Sequence, residues 1–297
     1  MGQRFTRKEV LRRLKKTIEE RKPIVGAGCS AGIIAKCAEL GGTDLIIVYS
    51  TGLSRIKGLP TTMIPDSNNV TLGMFDEIQN VVKDTPIIAG IDATESPVER
   101  DVAKLVKRFT AKGFSGVINF PTVGFVYDEA VTRMLVEGKD REFAKKMGGD
   151  MQELSQRVAK GLDFSIEVEM IRVCRSMDVF TMAYVFNPEQ ARAMAKAGVD
   201  VMVCHVGGTG GGLTGFAARS YDEAATKAQK MIEATKEVNP DIICLGHGGP
   251  FATPEDTKYL YKLTDAVGFV GASSIERIPV EKAIKGVLEE YKGVPLK

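Results

Sequence analysis

Eight short, continuous apolar runs are spread along the chain, and segments with helical periodicity separate them. Runs of this kind are typical of strands that are buried on both faces in a parallel sheet. They begin at or near Ile24, Leu45, Pro86, Gly116, Val179, Val199, Ile242 and Phe269. Eight strands that alternate with helices in 297 residues fit a (β/α)8 barrel, the TIM-barrel fold, better than a doubly wound sheet. We therefore predict a single TIM-barrel domain over residues 1–297.

Two segments add to this pattern. Thr6 and Glu9 form a capping box in front of an N-terminal helix that is predicted to run to about Glu20. The stretch from about 120 to 177, between the fourth and fifth strands, is too long for one crossover helix and is predicted to be a helical insertion. The insertion is a candidate lid or a candidate oligomer contact. Its predicted helices run from about Tyr127 to Glu137, Asp140 to Met147, Met151 to Lys160 and Ser165 to Ser176.

Charge balance and cysteine content argue against several classes of protein. The chain has 40 basic and 38 acidic residues, and no basic run stands outside a helical pattern. We therefore expect neither a nucleic acid nor a membrane surface as a partner. Five irregularly spaced cysteines argue against a disulfide framework. The amino terminus has no apolar signal core, and no stretch approaches the ~20 apolar residues of a membrane span, so we expect a cytoplasmic protein.

The two histidines of the chain, His205 and His247, both lie near the carboxyl end of an apolar run. Side chains at that end reach the mouth of a parallel barrel, where the loops carry the chemistry. Histidine exchanges a proton near neutral pH, so we predict that at least one of them is catalytic or binds substrate. The alternative is that the histidines have a structural role and are hydrogen-bonded to loop backbone. Zinc is not expected, because Cys204 and Cys244 lie within buried strands.

Asp92 ends the third predicted strand, and Glu95 follows it closely. A buried carboxylate at a barrel mouth must be paired, hydrogen-bonded or bound to a cation. Magnesium with oxygen ligands is one interpretation of Asp92, and a cap on the following loop is the other. We consider Asp92 a candidate catalytic residue and magnesium ligand, and Glu95 a candidate catalytic residue beside it.

Glycine-rich loops follow the last three predicted strands. Backbone amides in such loops approach an anion without obstruction by side chains, and barrels often hold a phosphate or carboxylate after the eighth strand. Arg277 would offer a guanidinium fork to an anionic substrate. The alternative is that these glycines only allow tight turns in the fold and bind no anion. The candidate substrate-binding residues are Gly207, Gly208, Thr209, Gly248, Gly249, Ser273, Ser274, Glu276, Arg277, Asn119 and Ser30.

Several motifs together resemble one known family. The segments 167–171, 184–187, 205–212, 247–250 and 271–279 are similar to the phosphoenolpyruvate hydrolase-like family, and the resemblance spans nearly the whole chain. This family consists of TIM barrels related to phosphoenolpyruvate mutase and isocitrate lyase. The resemblance implies a barrel that acts on small acids such as phosphoenolpyruvate, phosphonopyruvate or isocitrate, binds magnesium and stabilises an enolate. In the wider group a cluster of strand-end aspartates binds the metal. Asp92 is the candidate for one member of it, and no adjacent acidic pair completes the cluster here.

The residues and the resemblance predict a hydrolase that acts on a small anionic 2-oxo or enol-phosphate substrate through a metal-stabilised enolate. A lyase that cleaves a C–C bond beside a carbonyl and a ligand-sensing barrel without turnover are the alternatives. A Schiff-base aldolase is not expected, because no lysine lies on any of the eight predicted strands. We also expect a homo-oligomer, since barrels with a long helical insertion often self-associate.

Overall fold

The computed structural model of the protein describes residues 4–95, 101–127, 141–216 and 220–296, with the backbone alone described for residues 141–149. Eight parallel strands close into one barrel in sequence order, with β8 paired to β1. This confirms the predicted TIM-barrel fold. The strands are β1 (Ile24–Gly28), β2 (Leu45–Val48), β3 (Ile87–Ile91), β4 (Gly116–Asn119), β5 (Phe180–Val185), β6 (Val201–His205), β7 (Ile243–His247) and β8 (Gly268–Gly271).

Helices connect consecutive strands, and several begin at capping side chains. Asn187 and Thr253 each accept a hydrogen bond from a backbone amide of the first helical turn, and a proline follows each of them. None of the described helices is long and apolar enough to cross a membrane. The described helices are α1 (Arg7–Glu19), α2 (Gly32–Leu40), α3 (Ser50–Ile56), α4 (Ser67–Val81), α5 (Val102–Lys112), α6 (Arg141–Ala159), α7 (Phe164–Ser176), α8 (Pro188–Ala197), α9 (Tyr221–Val238), α10 (Pro254–Leu263) and α11 (Ile278–Gly293).

Alternation along the strands produces two apolar layers. One set of side chains fills the barrel interior, as Ile47, Ile118 and Val203 do. The other set packs outward against the helices, as Ile46 and Val117 do. Because every strand is buried on both faces, the strands appear in the sequence as continuous apolar runs.

Helix α1 closes the amino end of the barrel. Its predicted capping box is present at Thr6, and Val10 and Leu14 pack against the interior layer. The Arg7 guanidinium binds both carboxylate oxygens of Asp200, which directly precedes β6, at 2.6–3.1 Å. With this end sealed, the carboxyl end of the barrel is the open one.

The predicted insertion between β4 and β5 is helical, with boundaries that differ from the prediction. A 3-10 turn, Val123–Tyr127, is followed by α6 and α7. Helix α6 runs through Gly148 and Gly149, where the sequence predicted a break between two helices. The predicted helix from Tyr127 to Glu137 lies, apart from its first residue, outside the described residues.

Candidate active site at the barrel mouth

A pocket opens at the carboxyl end of the barrel, among the loops that follow the strands. Aromatic side chains form much of its wall, namely Tyr49, Phe120, Phe125, Tyr184 and Phe216. Polar side chains also line it, namely Thr51, Arg55, Thr61, Thr62, Thr122, Asp150, His205, Thr209, His247 and Ser273. An apolar pocket with a few converging polar groups is the usual form of a site for a small molecule.

His205 and His247 lie side by side in this pocket. They are the last residues of β6 and β7 and stand opposite each other in the strand register. Their ring centres are 4.6 Å apart, and the residues are 2% and 6% exposed. Cys204 packs into the outer layer, because neighbouring residues of a strand point to opposite faces. The structure therefore brings the two histidines together, without the cysteine.

Backbone contacts fix opposite tautomers in the two rings. Nδ1 of His205 accepts a hydrogen bond from the Gly207 amide at 3.1 Å, so the proton of the neutral ring is on Nε2. Nδ1 of His247 lies 2.7 Å from the Val270 carbonyl oxygen, which can only accept, so the proton of this ring is on Nδ1. Nε2 of His205 is thus a proton donor, and Nε2 of His247 is a proton acceptor.

The surroundings of His247 keep it neutral. Burial lowers its pKa from 6.5 to about 4, although the hydrogen bond to Val270 acts in the opposite direction. The Tyr184 ring lies 4.9 Å from the His247 ring, centre to centre. Phe186 and Phe125 lie 4.6 and 4.9 Å from the His205 ring, centre to centre. The aromatic walls thus shield both histidines from water.

The two glycine loops after β6 and β7 bind mainly to each other. The Gly249 amide donates to the Gly207 carbonyl, and the Gly210 amide donates to the Gly249 carbonyl, both at 2.9 Å. Gly248 has a φ of +79°, and a Cβ there would lie 2.1 Å from the Gly207 oxygen. Gly207, Gly208 and Thr209 line the pocket. Gly248 and Gly249 therefore position the neighbouring loop, whereas the sequence predicted that they bind an anion.

A buried ion pair lies beside the pocket. Arg55 donates from Nε, at 2.7 Å, and from Nη2 to Glu276, whose other oxygen accepts from the Ser30 amide at 2.9 Å. The Arg55 guanidinium carbon lies 5.4 Å from the centre of the Tyr49 ring. Burial raises the pKa of Tyr49 to about 12, so its phenol keeps its proton at neutral pH. Glu276 thus orients Arg55, in place of the predicted contact with substrate.

Buried hydroxyls at the ends of β1, β2 and β8 have no hydrogen-bond partner among the described residues. They belong to Ser30, Ser50, Thr51 and Ser274. Gly52 is needed among them, because a Cβ there would lie 1.6 Å from the Ser30 hydroxyl oxygen. A buried hydroxyl without a partner costs about 1–3 kcal/mol. The cluster, and above all Thr51 in the pocket wall, is therefore suited to an oxygen-rich ligand.

Asp92 is engaged by other residues at the rim. One of its carboxylate oxygens accepts from Nη1 of Arg157 at 2.7 Å, and the other accepts from the amide and the hydroxyl of Thr94 at 3.0 Å. Glu95 accepts from the amides of Ser67 and Asn68 and so caps α4. Within the described residues, no group of three His, Cys, Asp or Glu side chains is arranged to hold a metal ion. This arrangement does not fit the predicted magnesium ion at Asp92.

Asn119 and Arg277 also take positions that differ from the predictions. The Asn119 side chain bonds the backbone of Tyr184 and the carboxyl group of Glu167. Arg277 donates to the Gly211 carbonyl and to Glu281, each at 3.0 Å. Both residues therefore position the strands and loops that form the pocket and do not line it.

Glu167, in the first turn of α7, holds the segment after β4 that carries Phe120 and Phe125. It accepts from the Thr122 hydroxyl at 2.7 Å and from the Val123 amide at 2.8 Å. Burial raises the pKa of its carboxyl group to about 8.

The sequence did not indicate most of the residues that line the pocket, among them Tyr49, Thr51, Arg55 and Tyr184. Tyr49 and Thr51 directly follow β2, and a search of every strand end for polar side chains would have found them. Tyr184 lies within an apolar run, and only its phenol distinguishes it from core aromatics. Arg55 lies in α3, a helix that no sequence pattern predicted, and no pattern indicated that it is buried.

Comparisons with known proteins agree with this architecture. The sequence profile of the phosphoenolpyruvate hydrolase-like family matches residues 9–147 and 147–294. Two tomato (Solanum lycopersicum) proteins, ToMV susceptible protein tm-1(GCR26) and ToMV resistance protein Tm-1(GCR237), are each 39% identical over 293 residues. These matches cover 97% of the chain but 36% of each relative, so the chain spans about a third of their length.

Solved structures are similar in fold. A phosphonopyruvate hydrolase in complex with oxalate and Mg++ has a TM-score of 0.56 at 17% identity, over 95% of this chain and 87% of that one. Oxaloacetate acetylhydrolase in complex with the inhibitor 3,3-difluorooxalacetate has a TM-score of 0.56 at 17% identity, over 98% and 90%. At this level of identity the likeness shows the barrel fold alone.

Proposed function

Because the chain belongs to the phosphoenolpyruvate hydrolase-like family, we propose that it is a hydrolase that cleaves a small anionic 2-oxo or enol-phosphate acid. The bond that breaks is one whose cleavage releases an enolate. The observation that carries this proposal is the histidine pair, in which one ring presents a proton and its neighbour, 4.6 Å away, presents a lone pair. Hydrolysis with an enolate leaving group needs one base and one acid.

The proposed step uses water as the nucleophile. Nε2 of His247 takes a proton from the water as its oxygen bonds to the phosphorus or carbon atom that is cleaved off. The bond from that atom to the enolate breaks, and its electron pair stays with the enolate. Nε2 of His205 then gives its proton to the enolate, which becomes pyruvate when phosphoenolpyruvate or phosphonopyruvate is cleaved and acetate when oxaloacetate is cleaved. At this point His205 is an imidazolate and His247 an imidazolium. Proton exchange from His247 to His205, directly or through solvent, restores the starting state.

Neutral and charged donors beside the histidines support the negative charge of the substrate. The phenols of Tyr49 and Tyr184 stay protonated, because burial raises the pKa of both. The Thr51 hydroxyl, for which the described part of the chain offers no hydrogen-bond partner, and the Arg55 guanidinium lie in the same wall. Fixed donors in a site shielded from water stabilise a developing enolate oxygen without reorganisation. No step runs through a metal ion, because Arg157 and Thr94 already occupy the oxygens of Asp92.

The test is turnover of phosphoenolpyruvate, phosphonopyruvate and oxaloacetate in H₂¹⁸O, with the wild type and a His247→Gln variant. We expect one ¹⁸O atom in the fragment that water attacks, and a loss of about 10²–10⁴-fold in kcat/KM for the variant. Tyr221→Phe is the matched control, because it removes one hydroxyl contact, to Asp256 at 2.6 Å, outside the pocket. It should keep wild-type turnover.

Three results would contradict the proposal. Full turnover by His247→Gln would remove the histidine from the mechanism. Cleavage into two carbon fragments without ¹⁸O would indicate a lyase. Binding of these acids without any product would indicate a ligand-sensing barrel.

A further inference from the structure

The pocket at the barrel mouth has a polar side and an apolar side. Thr51 and Arg55 follow β2, whereas Phe120 and Phe125 follow β4 and Phe216 follows β6. Because the barrel closes in sequence order, the two polar residues lie on the arc from β8 to β2 and the three phenylalanines on the arc from β4 to β6. The histidine pair, on β6 and β7, lies where the two arcs meet.

The apolar side lies next to His205. The Phe125 ring is 4.9 Å from the His205 ring and 6.4 Å from the Phe120 ring, centre to centre. The Phe216 ring lies against Gly208, where a Cβ would come within 2.1 Å of it. All three phenylalanines are half-buried. A ligand with an apolar group would therefore remove from water an apolar surface that the fold itself leaves accessible.

Two helices hold this apolar wall in place. Glu167 of α7 accepts from the Val123 amide at 2.8 Å. Gln190 of α8 donates to the Gly124 carbonyl at 3.2 Å. The segment 120–125, which carries two of the three phenylalanines, is thus fixed by polar contacts from behind. A wall that is already ordered costs less conformational entropy when a ligand binds to it.

Helix α6 adds an apolar residue and a negative charge to the pocket. It packs against the turn Val123–Tyr127, and its Leu154 and Asp150 line the pocket. The Asp150 carboxylate accepts from the Thr62 hydroxyl and the Met63 amide, which are both neutral. A second carboxylate of a ligand would meet a like charge here, which is unfavourable. This part of the pocket therefore favours an apolar group over an anionic one.

The proposed function, on which this inference rests, gives such a group its place on the substrate. His205 protonates a carbon atom of the enolate, so a substituent on that carbon lies beside the His205 ring. We propose that the substrate carries an apolar substituent, aliphatic or aromatic, on this carbon, and that Phe125 and Phe216 select it. The carboxylate of the acid then lies on the polar side, towards Arg55 and Thr51.

The test is isothermal titration calorimetry of the wild type with three 2-oxo acids. Pyruvate has no substituent on the carbon in question. In 5-methyl-2-oxohexanoate this carbon carries an isobutyl group, and in 2-oxoglutarate it carries a carboxymethyl group of the same shape. We expect 5-methyl-2-oxohexanoate to bind about 10-fold or more tightly than pyruvate, because a buried group of this size gains that much. It should also bind more tightly than 2-oxoglutarate.

A Phe216→Ala variant tests the assigned wall. It should reduce the preference for 5-methyl-2-oxohexanoate over pyruvate about five-fold, because apolar contact surface is lost, and leave the affinity for pyruvate unchanged. Leu213→Ala is the matched control, because Leu213 belongs to the same loop, is 78% exposed and does not line the pocket. It should keep the wild-type preference.

Four results would overturn the proposal. They are equal affinities for pyruvate and 5-methyl-2-oxohexanoate, tighter binding of 2-oxoglutarate than of 5-methyl-2-oxohexanoate, no binding of any of the three acids, and an unchanged preference in Phe216→Ala. The wild-type measurements decide the matter even where the variant does not fold. Since binding is measured without turnover, a wild type that prefers the apolar acid but cleaves no substrate would contradict the proposed activity alone.

Discussion

Single hydrogen bonds decide what each histidine can do. The Gly207 amide and the Val270 carbonyl are both backbone groups, so the opposite tautomers are a property of the fold. The sequence predicted that His205 and His247 lie at strand ends, because apolar runs precede them. It could not predict their tautomers, which depend on a loop amide two residues later and on a carbonyl of β8.

The lowered pKa of His247 predicts a pH-dependent stability. Its pKa falls from 6.5 to about 4 on folding, so between these values the unfolded chain binds a proton that the folded chain does not. Stability from this residue is therefore present above pH 6.5 and lost as the pH falls towards 4. Between pH 7 and pH 5 the loss is about 2 kcal/mol.

Urea unfolding at pH 7 and pH 5 measures this effect. The free energy of unfolding of His247→Gln should fall by about 2 kcal/mol less than that of the wild type over this interval. Tyr221→Phe should follow the wild type. An equal fall in wild type and His247→Gln would mean that the histidine is not held neutral by burial.

At the scale of elements, two polar contacts fasten α6 over the barrel mouth. Arg157 of α6 pairs with Asp92 at the end of β3, and Asp150 accepts from the hydroxyl of Thr62 and the amide of Met63. Asp150, Thr62 and Met63 also line the pocket. The inserted helix is therefore part of the pocket wall, and the two contacts determine how closely it lies over the histidines.

The Asp92–Arg157 pair predicts strong coupling between two substitutions. Arg157→Met should destabilise the protein by about 3 kcal/mol, because it leaves the Asp92 carboxylate buried without its cation. Adding Asp92→Asn should cost less than the sum of the single changes, because no unpaired charge then remains. Urea unfolding of the four proteins measures the coupling, and hydrogen exchange should be faster in residues 150–159 of Arg157→Met. Additive changes would show that the pair does not hold α6.

The strands and helices could be predicted from the sequence where a local pattern of apolar or capping residues determines them. The eight strands lie close to their predicted positions, and the predicted capping box at Thr6 is present, because apolar runs and capping residues are local signals. Helix α3 was not predicted, because its seven residues include two serines, a threonine and a glycine and show no helical apolar pattern. Gly148 and Gly149 suggested a break that α6 does not have. Met151 and Leu154, both buried, anchor the helix just beyond them.

At the scale of the whole molecule, the two ends of the barrel have different roles. Helix α1 seals the amino end with Val10 and Leu14, and the chemistry-bearing side chains collect at the carboxyl end. This polarity follows from the eightfold alternation of strands and helices, which the sequence predicted. The roles of individual residues at the barrel mouth could not be predicted from this alternation. Asp92, Glu95 and Arg277 bind partners that are distant in sequence or that no local sequence pattern indicates.

The central claim is that the two histidines are held in opposite tautomers, and nitrogen NMR of the imidazole rings tests it most directly. The chain has two histidines in all, so ¹⁵N-histidine labelling gives signals from two rings, which His205→Gln and His247→Gln assign. At pH 7 we expect the Nε2–H form for His205 and the Nδ1–H form for His247. The same tautomer in both rings, or a doubly protonated His247 at this pH, would contradict the account.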